Sequence, residues 1–87
     1  MPTIAEFFGI SIMLYFDDHF PAHFHAEYQG KEALIRIKDG KVISGKFPPK
    51  VLKLIEDWRR IHVAELLKQW ENVKNFIPPK PIKPLDK

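Results

Sequence analysis

The fold is decided by residues 23–36, which have the sequence HFHAEYQGKEALIR. Apolar and polar side chains alternate strictly over His23–Tyr28, as is typical of a strand with one buried face. Gln29-Gly30 then predicts a two-residue hairpin turn. With this turn, apolar side chains face each other on one side of the hairpin, and His23 lies opposite Arg36 on the other.

Further strands are predicted on both sides of this hairpin. The apolar run Ile10–Phe16 predicts a strand before it. Asp39-Gly40 predicts a second hairpin turn, which leads into a strand from Lys41 to about Phe47. The apolar residues of this second hairpin do not all face each other, so a bulge is predicted whose place the pattern leaves open. We therefore expect a small antiparallel sheet of about four strands, with the first and the fourth at its edges.

A helical segment is predicted after the sheet, from Lys50 to Asn75, and Pro48-Pro49 suits its start. About 26 residues at ~1.5 Å each would span ~39 Å, longer than the ~25 Å diameter of a domain of this size. We therefore expect a bend or two consecutive helices, with the break around Arg60–Ala64 and His62-Val63 as its weakest pair. The apolar stripe of this segment is expected to pack on the sheet. It comprises Val51, Leu54, Ile55, Trp58, Leu66 and Trp70.

The chain has room for one small domain. Its 87 residues, 45% of them hydrophobic, bury too thin a core for a cofactor-binding domain beside a substrate domain. Residues 1–75 are predicted to form a single α+β domain, and residues 76–87 an extended tail rich in proline and lysine.

Composition narrows the function classes. The absence of cysteine excludes disulfides and thiolate zinc sites. No apolar run approaches the ~20 residues of a membrane span, and Met1-Pro2-Thr3 does not open a secretory signal. We therefore expect a cytoplasmic protein with no membrane partner. The net charge of +3 is uneven, because residues 31–87 carry all fourteen Lys and Arg while residues 1–30 carry four acids.

The densest group of functional side chains runs from residue 17 to residue 27. On one strand, His23 and His25 share a face about 6.6–6.8 Å apart along the backbone, close enough to bind one cation. Together with Glu27, and with His19 or the acids Asp17-Asp18 from the preceding loop, they form a candidate site for a divalent metal ion.

Two other interpretations of these histidines stay open. In the first, His19, His23 and His25 act as metal-independent acid–base groups on RNA, and Arg36 stabilises the negative charge of the reacting phosphate. In the second, the histidines are structural and satisfy backbone groups or lie on a solvated strand face. The residue pattern alone does not decide between them.

Motifs spread over nearly the whole chain are similar to those of one known family. They are Met1–Ile4, Phe7–Ile10, Tyr15–His19, Pro21–Tyr28, Trp58, His62, Glu65–Leu67 and Trp70. On these residues the chain resembles a bacterial family catalogued as domain of unknown function 4160. Ala22 stands where a second proline is expected, and the family has no assigned activity. The resemblance implies a small cytoplasmic protein encoded beside another short protein, in a layout similar to toxin–antitoxin pairs.

Three functions follow as hypotheses. The first is a toxin–antitoxin-type component that binds a small protein encoded by a neighbouring gene, or a second copy of itself, with an RNA-binding or ribonuclease role at the histidines. The second is a metal-binding protein or enzyme that uses His23, His25 and Glu27 with His19. The third is a protein-interaction module whose histidines are structural.

Overall fold

Five strands form one antiparallel sheet in chain order, and two helices follow them, in a computed structural model that describes residues 3–16 and 19–85. The predicted α+β class is confirmed. The elements are β1 (Thr3–Phe7), β2 (Ile10–Met13), β3 (His23–Tyr28), β4 (Lys31–Arg36), β5 (Val42–Ser44), α1 (Pro49–Ile61) and α2 (Val63–Lys74).

The central hairpin of β3 and β4 has the predicted register. Its six pairs run from His23 opposite Arg36 to Tyr28 opposite Lys31. Both turn residues have positive φ, 50° at Gln29 and 78° at Gly30, as a tight two-residue turn that matches the strand twist requires. The turn and the alternation therefore agree, and together they determine which side chains share a face.

The sheet has one strand more than predicted, because β1 precedes the strand expected to be first. Its pairing with β2 shifts between Thr3 and Ala5, and Ile4 and Ala5 are both buried. This irregularity interrupts the alternation by which a strand is recognised in sequence. As a consequence β2 lies inside the sheet instead of at an edge, and it ends at Met13 rather than Phe16.

The predicted irregularity in the second hairpin is present. Ile35 pairs with Val42, while Leu34 pairs with Ser44, so the register shifts between the two β4 residues. β5 is shorter than expected, because it ends before Gly45, whose φ is 89°.

The predicted break in the helical segment lies at His62, between α1 and α2. Trp58 of α1 is fully buried, and its ring lies 5.4 Å from that of Phe7 and 5.8 Å from that of Phe24. The expected stripe forms the helical part of the core except for Leu54, which is only partly buried. In the described parts of the chain, neither helix is long and apolar enough to cross a membrane.

The chain after α2 returns to the sheet. Ile82, 3% exposed, donates its backbone N–H to the carbonyl of Ile4 at 2.8 Å, and Trp58 Nε1–H donates to the carbonyl of Lys83 at 2.8 Å. Lys80 N–H donates to Oε1 of Gln69 at 2.8 Å. This segment, residues 77–85, thus packs along β1 and both helices without forming a helix or strand of its own.

Candidate functional site

His23 is buried in the structure, although the strand pattern placed it on the polar face. The side chain is held from two sides. Its Nδ1 lies 2.8 Å from the carbonyl oxygen of Pro21, so Nδ1–H donates to that carbonyl. Its ring lies 5.3 Å from that of Trp70 in α2, and the residue is 7% exposed. α2 therefore covers the start of β3, a contact that the strand pattern does not encode.

His25 lies in a more open polar cluster. Its Nδ1 is 3.0 Å from Oε2 of Glu32, whose side chain is half-exposed, and its ring stacks on Tyr15 at 4.0 Å. The hydroxyl of Tyr15 donates to the same carboxylate oxygen at 3.5 Å. Because Leu34 pairs with His25, Glu32 is a diagonal cross-strand neighbour of this histidine. That relation can be read from the hairpin register, but the sequence interpretation did not use it.

The two imidazoles lie next to each other, with ring centroids 5.3 Å apart. Each donates Nδ1–H, His23 to a carbonyl and His25 to a carboxylate, so the neutral form of each ring has its lone pair on Nε2. Such bonds fix the tautomer and the orientation of a ring.

Arg36 lies opposite His23 in the register, but its guanidinium turns towards Asp39. Its Nε donates to Oδ1 at 2.9 Å, and a terminal nitrogen donates to Oδ2 at 2.5 Å. These bonds hold the pKa of the Asp39 carboxyl well below its usual range. Arg36 thus stabilises the turn between β4 and β5 through this bidentate pair.

The candidate metal ligands that the structure describes do not come together as a group of three. Within residues 3–16 and 19–85, no three His, Asp or Glu side chains are grouped so that they could hold a metal ion. Glu27 and His19 are both exposed. The acids Asp17-Asp18, named as further candidate ligands, lie outside the described residues.

A mostly apolar groove lies beside the histidines, and we call it the Phe20 groove. Its volume is about 490 Å³. Phe20 forms one wall and is 80% exposed, which is unusual for so large an apolar side chain. Backbone bonds connect the groove to the sheet, since Ile37 N–H donates to the carbonyl of Ala22 at 3.0 Å. The lining residues are Phe20, Pro21, Ala22, Arg36, Lys38, Asp39 and Leu67.

An exposed pair of aromatic rings connects the loop after β2 to the residues that follow α2. Phe16 and Phe76 stack with centroids 6.2 Å apart, and both are exposed. Phe76 is 65% exposed, whereas Ile82 further along the chain is buried. Phe16 follows Tyr15, so this pair lies at the far end of the histidine cluster from the groove.

Arg59 holds one rim of the Phe20 groove in place. Although it is a charged residue of α1, its side chain is buried. Its NH1 donates to the carbonyl of Ile37 at 2.7 Å, while its Nε and NH2 donate to Glu56 at 2.9 and 2.6 Å. A Cβ at Gly40 would lie 2.4 Å from Oε1 of Glu56, so glycine permits this close approach. The i,i+3 spacing of Glu56 and Arg59 on one helix face is the sequence feature that could have predicted their pairing.

Comparison with known proteins yields one match. The family model described as "Domain of unknown function (DUF4160)" matches residues 9–71, which include β2 to β5, α1 and the site but not β1 or the returning tail. No curated protein and no solved structure matches the chain.

Proposed function

The chain belongs to the DUF4160 family, whose description assigns no function, and we propose that it acts by binding a partner protein through the Phe20 groove. The proposed setting is a cytoplasmic two-protein system of the toxin–antitoxin type, as the resemblance of the sequence implies. The partner is then a small protein encoded by a neighbouring gene.

The observation that carries this proposal is the exposure of Phe20 beside an apolar groove. An aromatic side chain that is 80% exposed on a chain of 87 residues leaves a large apolar area in water. Pro21, Ala22 and Leu67 extend this area into a concave surface. Aromatic residues beside apolar pockets dominate the binding energy of many protein interfaces.

The arrangement of the histidines favours partner binding over RNA cleavage as the first function. His23 is packed against Trp70 and bonded to Pro21, which is a structural environment. Arg36, the residue proposed to stabilise a phosphate, is engaged with Asp39.

Acid–base action on RNA is the second candidate, and one observation favours it. The His25–Glu32 bond of 3.0 Å, with Tyr15 on the same carboxylate, orients an imidazole as general bases require. Under this alternative, His25→Gln lowers RNA cleavage about 10²–10⁴-fold, the usual contribution of such a group. Phe20→Ser leaves cleavage unchanged.

Co-purification with the product of the neighbouring gene tests the first candidate. We expect Phe20→Ser to weaken the complex at least about tenfold, because truncating an aromatic anchor removes most of its binding energy. Phe8→Ser is the matched control, since Phe8 is also exposed (52%) but lies in the β1–β2 turn. Ile10 beside that turn pairs with Tyr28, so Phe8 and Phe20 flank opposite ends of β3.

Equal affinity for the wild-type protein and the Phe20→Ser variant would contradict the proposal. So would an equal loss in Phe8→Ser, which would indicate a general effect of removing exposed aromatic surface. Growth arrest on expression, relieved by the partner, would assign this chain the toxin role. Growth arrest caused by the partner and relieved by this chain would assign it the antitoxin role.

A further inference from the structure

We infer that the Phe20 groove binds an acidic amphipathic segment of the partner protein, with an aliphatic or aromatic side chain between Phe20 and Leu67 and a carboxylate on Lys38. This inference rests on the proposed function and specifies the chemistry of the partner.

The apolar part of the groove determines which kind of partner side chain can be buried in it. Phe20, Pro21, Ala22 and Leu67 supply four hydrophobic walls and no hydrogen-bonding side chain. A polar side chain buried among them would lose its hydrogen bonds to water without replacement. A groove of about 490 Å³ has room for one or two large apolar side chains rather than a whole folded surface.

The charged residues at the rim of the groove determine the sign of the charge that the partner segment must carry. Three charged residues line the groove, and two of them, Arg36 and Asp39, neutralise each other in a bidentate pair. Lys38 is exposed and forms no ion pair within the described residues. One net positive charge therefore remains beside the apolar surface, and a carboxylate of the partner would complement it.

The backbone that carries this cation is held in place by the protein. Arg59 donates to the carbonyls of Ile37 and Lys38, at 2.7 and 3.3 Å, so the backbone that carries the lysine is tied to α1. A carboxylate partner thus meets a lysine whose main chain needs no further ordering.

Other occupants fit the groove less well. Single-stranded nucleic acid requires a series of cations along its backbone, whereas this groove offers Lys38 alone beyond the neutralised Arg36. A symmetric dimer through the groove would bring two surfaces of the same net charge together. An acidic segment of another protein satisfies both the apolar and the charged parts.

A phage-displayed library of random 12-residue peptides is the probe, selected on the full chain and counter-selected on the Phe20→Ser variant. We expect the enriched peptides to combine an aliphatic or aromatic residue with at least two acids. A consensus that is neutral or basic would overturn the inference while leaving Phe20-dependent partner binding intact. An absence of Phe20-dependent peptides would overturn both the inference and the proposed function.

Charge reversal then tests the contact with Lys38. We expect Lys38→Glu to weaken binding of an enriched peptide about threefold to tenfold, as measured by fluorescence anisotropy, and the loss to shrink with added salt. Replacing the acids of the peptide by lysine should restore its binding to Lys38→Glu. Equal binding of the acidic peptide to both proteins would overturn the inference, as would tighter binding of an RNA oligonucleotide or a Phe20-dependent dimer in sedimentation.

Discussion

His23 and His25 differ in environment although they lie two positions apart on one strand face. The first bonds a backbone carbonyl and packs under Trp70, whereas the second bonds Glu32, whose side chain is 50% exposed. Burial makes a lost hydrogen bond expensive, while a hydrogen bond to a half-exposed carboxylate contributes less. These two histidines, although they lie on the same strand face, therefore differ in how much they contribute to the stability of the fold.

The corresponding prediction is that His23→Gln lowers the free energy of unfolding by about 1–3 kcal/mol, since it disturbs a buried donor and its packing. His25→Gln should cost less than about 1 kcal/mol. Urea unfolding of both variants measures the difference, with Phe24→Ala, expected to cost about 3–5 kcal/mol, as a core reference. A greater loss in His25→Gln would show that the cluster around Glu32 is the structural one.

At the scale of elements, the connection between α1 and the β4–β5 turn depends on Arg59. Its hydrogen bonds to Glu56 are the main cause that lowers the pKa of this glutamate, while burial acts in the opposite direction. The carboxylate form is thus favoured in the folded state. Its contribution to stability is present above the pKa of an unfolded glutamate, about 4.3, and is lost as the pH falls through the lowered folded pKa.

We therefore predict that, in the Glu56→Gln variant, the free energy of unfolding falls less steeply as the pH is lowered. Above about pH 5 the variant should be less stable than the wild type, because Arg59 loses its charged partner. As the pH falls below about 4.3 and through the lowered pKa of folded Glu56, the two free energies of unfolding should converge, because Glu56 becomes protonated. Urea unfolding at a series of pH values checks this, and parallel curves over the whole range would contradict it.

For the molecule as a whole, the returning segment connects the region after α2 to β1 and α1. Ile82 bonds Ile4 across the sheet edge, and Lys83 accepts a hydrogen bond from Trp58, 25 residues before it. An uncovered edge strand is a site for unwanted pairing, so this segment also protects β1. The proline-rich residues therefore belong to the fold.

Two isoleucines of this segment provide a matched test. Ile82→Ala should lower the free energy of unfolding by about 2–5 kcal/mol, because it leaves a cavity in the core. Ile77→Ala, at a position that is 50% exposed, should change it by no more than about 0.5 kcal/mol. Chemical denaturation measures both, and equal effects would show that the segment is not docked in solution.

The features that depend on local periodicity could be predicted from the residue pattern. The alternation of β3 and the Gln29-Gly30 turn determine the hairpin register, because a shift by one residue would expose every apolar side chain. Helix length against domain size determined the break at His62. The neighbouring positions of His23 and His25 followed from the same period of two.

The features that depend on contacts between distant residues could be found only in the folded protein. These are the pairing of β1, the cover of Trp70 over His23, the burial of Arg59 and the docking of Ile82. Periodicity predicts which face of a strand or helix is apolar. It does not predict which other element packs against the ends of that strand or helix. The Phe20 groove is such a case, because its walls come from the loop before β3, the end of β4 and the middle of α2.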